Sequence, residues 1–173
     1  MHMKNILPIL TLTTLAAAAS AQAAAPAAAG LNYNRVGLGY NTDTKGYSLS
    51  ATAVLGSSNF WVGATTTIGG KDTTNGDDAV SIGYLFANVA YGIDATIAVG
   101  SDEAYELGLR KALGNNLEAA ASFGRNSADN NVWGAELAYN VSKQIQLAVG
   151  YSDSNAAGAA GEAQTVISAR YNF

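Results

Sequence analysis

The feature that most constrains the fold is an alternation of apolar residues with small or polar residues, with a period of two. It runs through ten segments of about ten residues each, from position 31 to the end of the chain. Clusters rich in Gly, Asn, Asp and Ser separate the segments, as turns require; a weak break is predicted near Ala87 and Asn88. A period of two is that of β-strands, and about 9–11 residues is the length with which a tilted strand crosses a bilayer. The pattern predicts an all-β protein built from amphipathic strands.

The placement of the aromatic residues indicates what the apolar face touches. Thirteen of the fifteen aromatic residues fall on that face, the exceptions being Tyr33 and Trp61, and many stand near strand ends. Two aromatic girdles around an aliphatic band are typical of transmembrane barrels, whereas a soluble sandwich buries its largest rings centrally. The residues predicted to lie at the membrane interfaces are Tyr40, Tyr47, Tyr105, Trp133, Tyr151, Phe60, Tyr91 and Phe173.

The opposite face consists mostly of Gly, Ala and Ser, which suits a narrow interior better than a soluble surface rich in Lys and Glu. In lipid every backbone amide must pair internally, and strands achieve this only in a closed barrel. We therefore predict an antiparallel up-and-down transmembrane β-barrel over residues 31–173, with ten strands and with eight as the alternative. Asn32 and Asn34 would face lipid, which indicates that the first strand begins nearer Arg35. A secreted soluble sandwich is the rival fold.

The N-terminal residues predict a targeting segment. Lys4 supplies one positive charge, an apolar run follows, and Ala21-Gln22-Ala23 forms an A-x-A site. These features predict a secretory signal peptide over residues 1–23, with cleavage after Ala23 or, as a second choice, Ala25. A short Ala- and Pro-rich lead-in over residues 24–30 would then precede the barrel. We expect export through the general secretory pathway and a location in the outer membrane.

The composition excludes several classes of function. The chain has no Cys, and its single His is His2, inside the predicted signal peptide. Disulfides, Ser-His-Asp catalysis and the usual zinc sites are therefore absent. A net charge of -4 argues against nucleic acid as a partner. The loop over residues 70–78 is acidic but lacks the spacing of a calcium loop. We expect no catalytic residue, no cofactor and no metal site.

The last nine residues carry a family resemblance. The run from Thr165 to Phe173 has a terminal Phe preceded by Tyr171, Ala169 and Ile167 at every second position. This run is similar to the C-terminal signature of bacterial outer-membrane proteins. With the strand pattern, the chain resembles the small barrels typified by OmpA and OmpX, within the wider porin-like group. The resemblance implies that the barrel-assembly machinery recognises this segment.

A small set of charged residues falls on the predicted inner face. Asp94 and Arg110 should lie opposite each other across a hairpin, with Glu118 on the next strand. A cluster of this kind predicts a structural salt-bridge network, and a charge-lined narrow pore is the alternative. The predicted lumen charges are Arg35, Asp94, Glu106, Arg110, Glu118, Glu136 and Arg170.

Three hypotheses for the function follow. The first is a non-enzymatic, monomeric outer-membrane barrel with a structural or surface role, whose partner is the lipid bilayer. The alternative is a narrow porin-like channel for the passive passage of ions or small solutes. The second alternative is a secreted soluble β-domain that binds a surface or a ligand. Nothing in the sequence identifies a solute or a ligand for the loops.

Overall fold

The computed structural model describes residues 31–70, 78–126, 128–156 and 163–173. The predicted signal peptide, the lead-in over residues 24–30 and most of the acidic loop lie outside the described residues. Within these ranges the structure consists of ten strands and one short 3-10 turn at Ser101–Glu103. The strands are β1 Arg35–Asn41, β2 Tyr47–Val54, β3 Phe60–Ile68, β4 Asp78–Ala90, β5 Ile93–Gly100, β6 Tyr105–Gly114, β7 Leu117–Arg125, β8 Asn131–Asn140, β9 Ile145–Ser154 and β10 Gln164–Asn172. In the part of the chain that is described, no helix is long and apolar enough to span a membrane.

The strands form one closed antiparallel sheet. Each strand pairs with its neighbours in sequence, and β1 pairs with β10 to close the barrel. The closing ladder runs from Arg35 opposite Asn172 to Asn41 opposite Val166. Closure leaves no free edge, so the ladder amides find partners all around the wall. The predicted up-and-down barrel and its count of ten strands are confirmed, and the two-layer sandwich is excluded.

The two ends of the barrel differ in their connections. We call the end that carries residues 31–34 and Phe173 the terminal end, and the opposite end the loop end. The connections 55–59, 91–92, 115–116 and 141–144 lie at the terminal end. The connections 42–46 and 101–104 lie at the loop end, as do those that follow β3, β7 and β9.

The outer wall is apolar around the whole barrel. Successive side chains point alternately outward and inward, and most outward positions carry Leu, Ile, Val, Ala or aromatic residues, with Thr66 and Lys111 among the exceptions. Large side chains such as Leu38, Ile97 and Val149 are about half exposed in the isolated chain. Ala51 and Ala64, also on the outer face, are buried beside larger neighbours such as Val36 and Leu49. Soluble monomers rarely expose a continuous apolar surface of this extent, so this wall requires an apolar surrounding.

The connection between β4 and β5 differs from the sequence prediction. The weak break expected at Ala87–Asn88 is wrong, because β4 continues to Ala90 and the turn lies at Tyr91 and Gly92. Asn88 instead forms an irregularity in the ladder, with a φ of 51°. Its side-chain oxygen accepts a hydrogen bond from the Gly92 amide at 3.0 Å. Tyr91 therefore stands in the turn with 91% of its surface exposed, and not in the middle of a strand.

Candidate functional site

Residues 31–34 enter the lumen before β1 joins the wall. The Thr52 hydroxyl donates to the Tyr33 carbonyl oxygen at 2.8 Å. The Val54 amide donates to the Asn34 side-chain oxygen at 2.7 Å. Asn34 is buried, and β1 begins at the next residue, as the sequence predicted. The physical reason is that a buried Asn needs hydrogen-bond partners, which the lumen offers and lipid does not.

The Tyr33 side chain makes the centre of this arrangement. Its hydroxyl donates to Asp94 at 3.0 Å, and the guanidinium of Arg110 lies 4.6 Å from its ring centroid, a cation–π distance. Burial raises the pKa of the Tyr33 phenol, so the hydroxyl remains a donor. Asp94 is fully buried and also accepts the Asn88 amide at 2.8 Å. Arg110 in turn donates to the Asn32 carbonyl oxygen at 2.9 Å.

A chain of polar contacts continues from Arg110 along the inner wall, from each strand to the next between β6 and β10. Arg110 donates to Glu118 at 2.7 Å, and the Asn140 amide donates to the other oxygen of Glu118 at 2.8 Å. The Gln146 amide donates to Asn140 at 2.9 Å. Arg170 donates to Gln146 at 3.2 Å. Each contact joins side chains from different strands.

Arg170 ends the chain with a two-point contact to Glu136. One nitrogen donates to a carboxylate oxygen at 2.6 Å, and the second nitrogen pairs with the other oxygen. Such bidentate pairs are the strong ones, because both hydrogen bonds are charge-assisted. We call the whole set the lumen band. Its members are Tyr33, Asp94, Arg110, Glu118, Glu136, Asn140, Gln146 and Arg170.

The register brings several predicted lumen charges together. Asp94 and Arg110 lie opposite each other in the β5–β6 ladder. The ion pair of Arg110, however, is made with Glu118 on β7, while Asp94 is bonded to Tyr33. Arg110 therefore pairs diagonally with the neighbouring strand, because Glu118 lies opposite Ala112, and not with the carboxylate directly opposite it on β5.

Two predicted lumen charges take no part in these contacts. Among the described residues, one guanidinium nitrogen of Arg35 is buried without a hydrogen-bond partner. The Glu106 carboxylate meets neither a cation nor a hydrogen-bond donor from the described part of the chain, and it faces the open lumen. These two groups differ from the charges in the lumen band, whose partners are provided by the protein.

The sequence reasoning missed the neutral members of the lumen band. Asn140 and Gln146 flank a short turn at the terminal end, and neither is charged. Tyr33 could have been predicted as a lumen residue, because it is one of the two aromatic residues that do not fall on the apolar face. The other, Trp61, also points into the lumen, where its indole lies over Gly83 and its nitrogen is buried without a partner among the described residues.

Small inward residues leave space above the lumen band. A cavity of 320 Å³ extends from Tyr33 and Arg35 upward along walls of Gly, Ala and Ser. A second cavity of 290 Å³ reaches the loop end. Trp61, Glu106 and Ser122 line both cavities. The two cavities therefore adjoin at these three residues, between the lumen band and the loop end.

The aromatic residues group near the two ends of the wall. At the loop end, Tyr40 packs on Tyr47 at 5.1 Å and Trp133 on Tyr151 at 5.5 Å between ring centroids. Of the predicted interface residues, Tyr40, Tyr47, Tyr105, Trp133 and Tyr151 stand at the loop end, and Phe60, Tyr91 and Phe173 at the terminal end. Their contact with a membrane interface stays a prediction.

The C-terminal signature residues lie on one side of β10. Ile167 and Tyr171 are outward and exposed, and Ala169 stands between them on the same face. Phe173 follows the strand, and its amide donates to the Asn34 carbonyl oxygen at 3.0 Å. Recognition of this face by an assembly machinery stays a prediction.

The wall and the lumen together define the class of the protein. A closed ten-stranded sheet with an apolar exterior and a small-residue, polar interior is a small β-barrel of the outer-membrane type. Within the described ranges, no group of three or more acidic or His side chains is placed to hold a metal ion.

Comparisons with known proteins give structural neighbours but no family. No family model matches the sequence, and no curated protein matches it. The fold is similar to the KdgM porin, with a TM-score of 0.48 and 10% identity over 80% of this chain and 99% of that one. It is similar to Omp33 of Acinetobacter baumannii, with a TM-score of 0.41 and 20% identity over 74% of this chain and 57% of that one. It is also similar to a designed transmembrane β-barrel, with a TM-score of 0.34 and 18% identity over 83% of this chain and 96% of that one. All three TM-scores are below 0.5, so the fold class rests on the closed sheet itself.

Proposed function

We propose that the protein is an integral outer-membrane barrel whose lumen is a narrow passive channel for ions and small polar solutes. The observation that carries the proposal is the pair of cavities, 320 and 290 Å³, which share lining residues and extend from Tyr33 to the loop end. Gly, Ala and Ser make up about half of the residues that line the two cavities, and such small groups leave room for water beside the polar side chains.

The outer wall supports the membrane location. Its apolar band requires an apolar surrounding, and a closed sheet satisfies the backbone amides that lipid cannot. Closure also removes the strand edges through which barrels could associate, which supports a monomer. Export through the predicted signal peptide and assembly through the C-terminal signature belong to the same proposal.

The lumen band would form the constriction of this channel. It occupies the terminal end, where the guanidinium of Arg110 lies over the Tyr33 ring in the interior. A solute crossing the barrel would pass beside these side chains, so their charge and size would limit conductance. The channel would accordingly favour small ions over bulky solutes.

A second candidate function is a non-conducting barrel with a structural or surface role. The observation that favours it is the continuity of the lumen band, in which each described member has at least one hydrogen bond or ion pair to another. A continuous band of this kind ties β5 to β10 along the inner wall and would stiffen the barrel.

Recording from planar bilayers decides between the two candidates. The channel predicts discrete conductance steps from refolded protein. Gly150 lines the lumen, and a Cβ placed there would have its nearest neighbour at 3.7 Å, on Glu136. We expect Gly150→Leu to lower the step size by filling the cavity. Val149→Leu, on the lipid side of the same strand, is the matched control and should leave the step unchanged.

Heat-dependent gel mobility establishes that each variant has folded, because closed barrels resist detergent until heated. Folded wild-type protein that gives no steps would establish the non-conducting barrel. Equal steps from Gly150→Leu and wild type would show that ions do not cross through this cavity. A protein that stays monomeric and β-folded in plain buffer would contradict both membrane proposals.

A further inference from the structure

The inward charges of the described residues divide into two groups. Three guanidiniums and three carboxylates lie at the terminal end, in the lumen band or beside it, and their formal charges cancel. They are Arg35, Arg110, Arg170, Asp94, Glu118 and Glu136. Glu106 stands apart from this group and leaves the inward charges with a formal sum of -1. The lumen above the lumen band therefore carries one uncompensated negative charge.

The position of Glu106 places this charge on the path through the barrel. It lies on β6 between Ala98 of β5 and Gly124 of β7, and both neighbours are too small to cover it. Its side chain lines both lumen cavities. The loop-end cavity has one further charged lining residue within the described ranges, Arg125, which is paired with Asp129 at 3.1 Å.

The other inward carboxylates accept hydrogen bonds or form ion pairs within the protein. Asp94 holds Tyr33 and a backbone amide. Glu118 holds Arg110 and Asn140. Glu106 makes no such contact with any described residue, so its charge contributes nothing visible to packing or strand pairing. An ionisable group that lines a cavity large enough for water and has no partner in the protein can interact with mobile ions.

We propose that Glu106 determines the ion selectivity of the lumen and makes it prefer cations to anions. The inference rests on the proposed channel function. A fixed charge in a narrow passage with low-dielectric walls concentrates ions of the opposite sign and repels those of the same sign. Because the charges at the terminal end cancel, the single carboxylate above them sets the sign of the preference.

The test is the reversal potential in a KCl gradient across a planar bilayer. Wild type should give a potential of the sign expected for K⁺ permeating better than Cl⁻. Glu106→Gln should move the potential to zero, and Glu106→Lys should reverse its sign. Asp153→Asn is the matched control, because Asp153 lies opposite the outward Trp133 and its removal subtracts the same charge outside the lumen. Gel mobility before and after heating establishes folding of all four proteins.

The outcomes separate the two proposals. Conductance steps with the same reversal potential in wild type and Glu106→Gln would overturn the assignment of Glu106 and leave the channel intact. Anion preference in wild type would overturn it as well. Folded wild-type protein without any conductance would overturn the channel, and the selectivity with it. An equal shift in Asp153→Asn would show that surface charge, and not Glu106, sets the preference.

Discussion

Removal of the Glu118 side chain tests whether the lumen band stabilises the barrel. The Glu118 side chain is 6% exposed and the Arg110 side chain 11% exposed, so their ion pair is well shielded from water. Glu118→Ala removes the partner of Arg110 at 2.7 Å and that of the Asn140 amide at 2.8 Å. The variant would leave a guanidinium inside the barrel without its counter-charge.

The magnitude follows from the cost of an unpaired buried charge. Breaking a buried ion pair by deleting one partner costs about 3–5 kcal/mol, and each 1.4 kcal/mol is about a factor of ten in the folding equilibrium. Replacing both partners by apolar residues is often close to neutral. We therefore expect the double variant Arg110→Met with Glu118→Ala to recover at least about 1 kcal/mol relative to Glu118→Ala, with some loss remaining from the Asn32 contact of Arg110.

The assay is urea unfolding in lipid vesicles, followed by the fluorescence of Trp61 and Trp133. Asp129→Asn is the control, since it removes the charge from an exposed ion pair with Arg125, keeps a residue that tolerates the positive φ at this position, and should cost about 0–1 kcal/mol. A Glu118→Ala variant within about 1 kcal/mol of wild type would refute the reasoning. A double variant that is less stable than the single one would refute the explanation by an unpaired charge.

Three further predictions concern the wall, the glycines and the constriction. Ile97→Arg, on the outer face at mid-strand, should lower the unfolding free energy in vesicles by about 2–4 kcal/mol, and Tyr105→Arg near the loop end by about 0–1 kcal/mol; equal costs would contradict a lipid-facing wall. Gly124→Ala should cost about 1–3 kcal/mol by urea unfolding, because its Cβ would collide with the Tyr105 carbonyl oxygen. Gly150→Ala, whose Cβ has room, should be neutral or up to about 1 kcal/mol stabilising; the opposite order would be inconsistent with this packing. Tyr33→Ala should enlarge the conductance step in planar bilayers by opening the lumen band, and an unchanged step would place the constriction elsewhere.

Much of the wall could be predicted from the sequence because strand geometry is local. The inward and outward positions follow from the alternation of side chains along each strand, as for Leu107, Leu109 and the Gly108 between them. The failure at the β4–β5 connection has an equally local cause. Asn88 is a typical turn residue, but here its side chain bonds to Gly92 and bends the strand without ending it.

The partners inside the lumen could not be predicted in the same way. Glu118 and Arg110 are eight residues apart in sequence, and their pairing could be anticipated from neighbouring strands. Arg170 and Glu136 are 34 residues apart, and Tyr33 and Asp94 are 61 apart. The contact between Arg170 and Glu136 spans β9 and depends on the stagger of the strands, whereas the contact between Tyr33 and Asp94 crosses the interior and depends on closure of the barrel.

The sequence by itself determined the class of this protein, because a period of two, a bilayer-spanning strand length and outward aromatic residues are properties that each strand carries alone. Only the tertiary structure decided which charges neutralise each other. Closing β1 onto β10 brings residues 31–34 into the lumen beside Arg110 and places Tyr33 against Asp94, 61 residues away in sequence. The tertiary structure also leaves Glu106 without a partner among the described residues, because neither Arg35 nor Arg110, which line the same cavity, reaches its carboxylate.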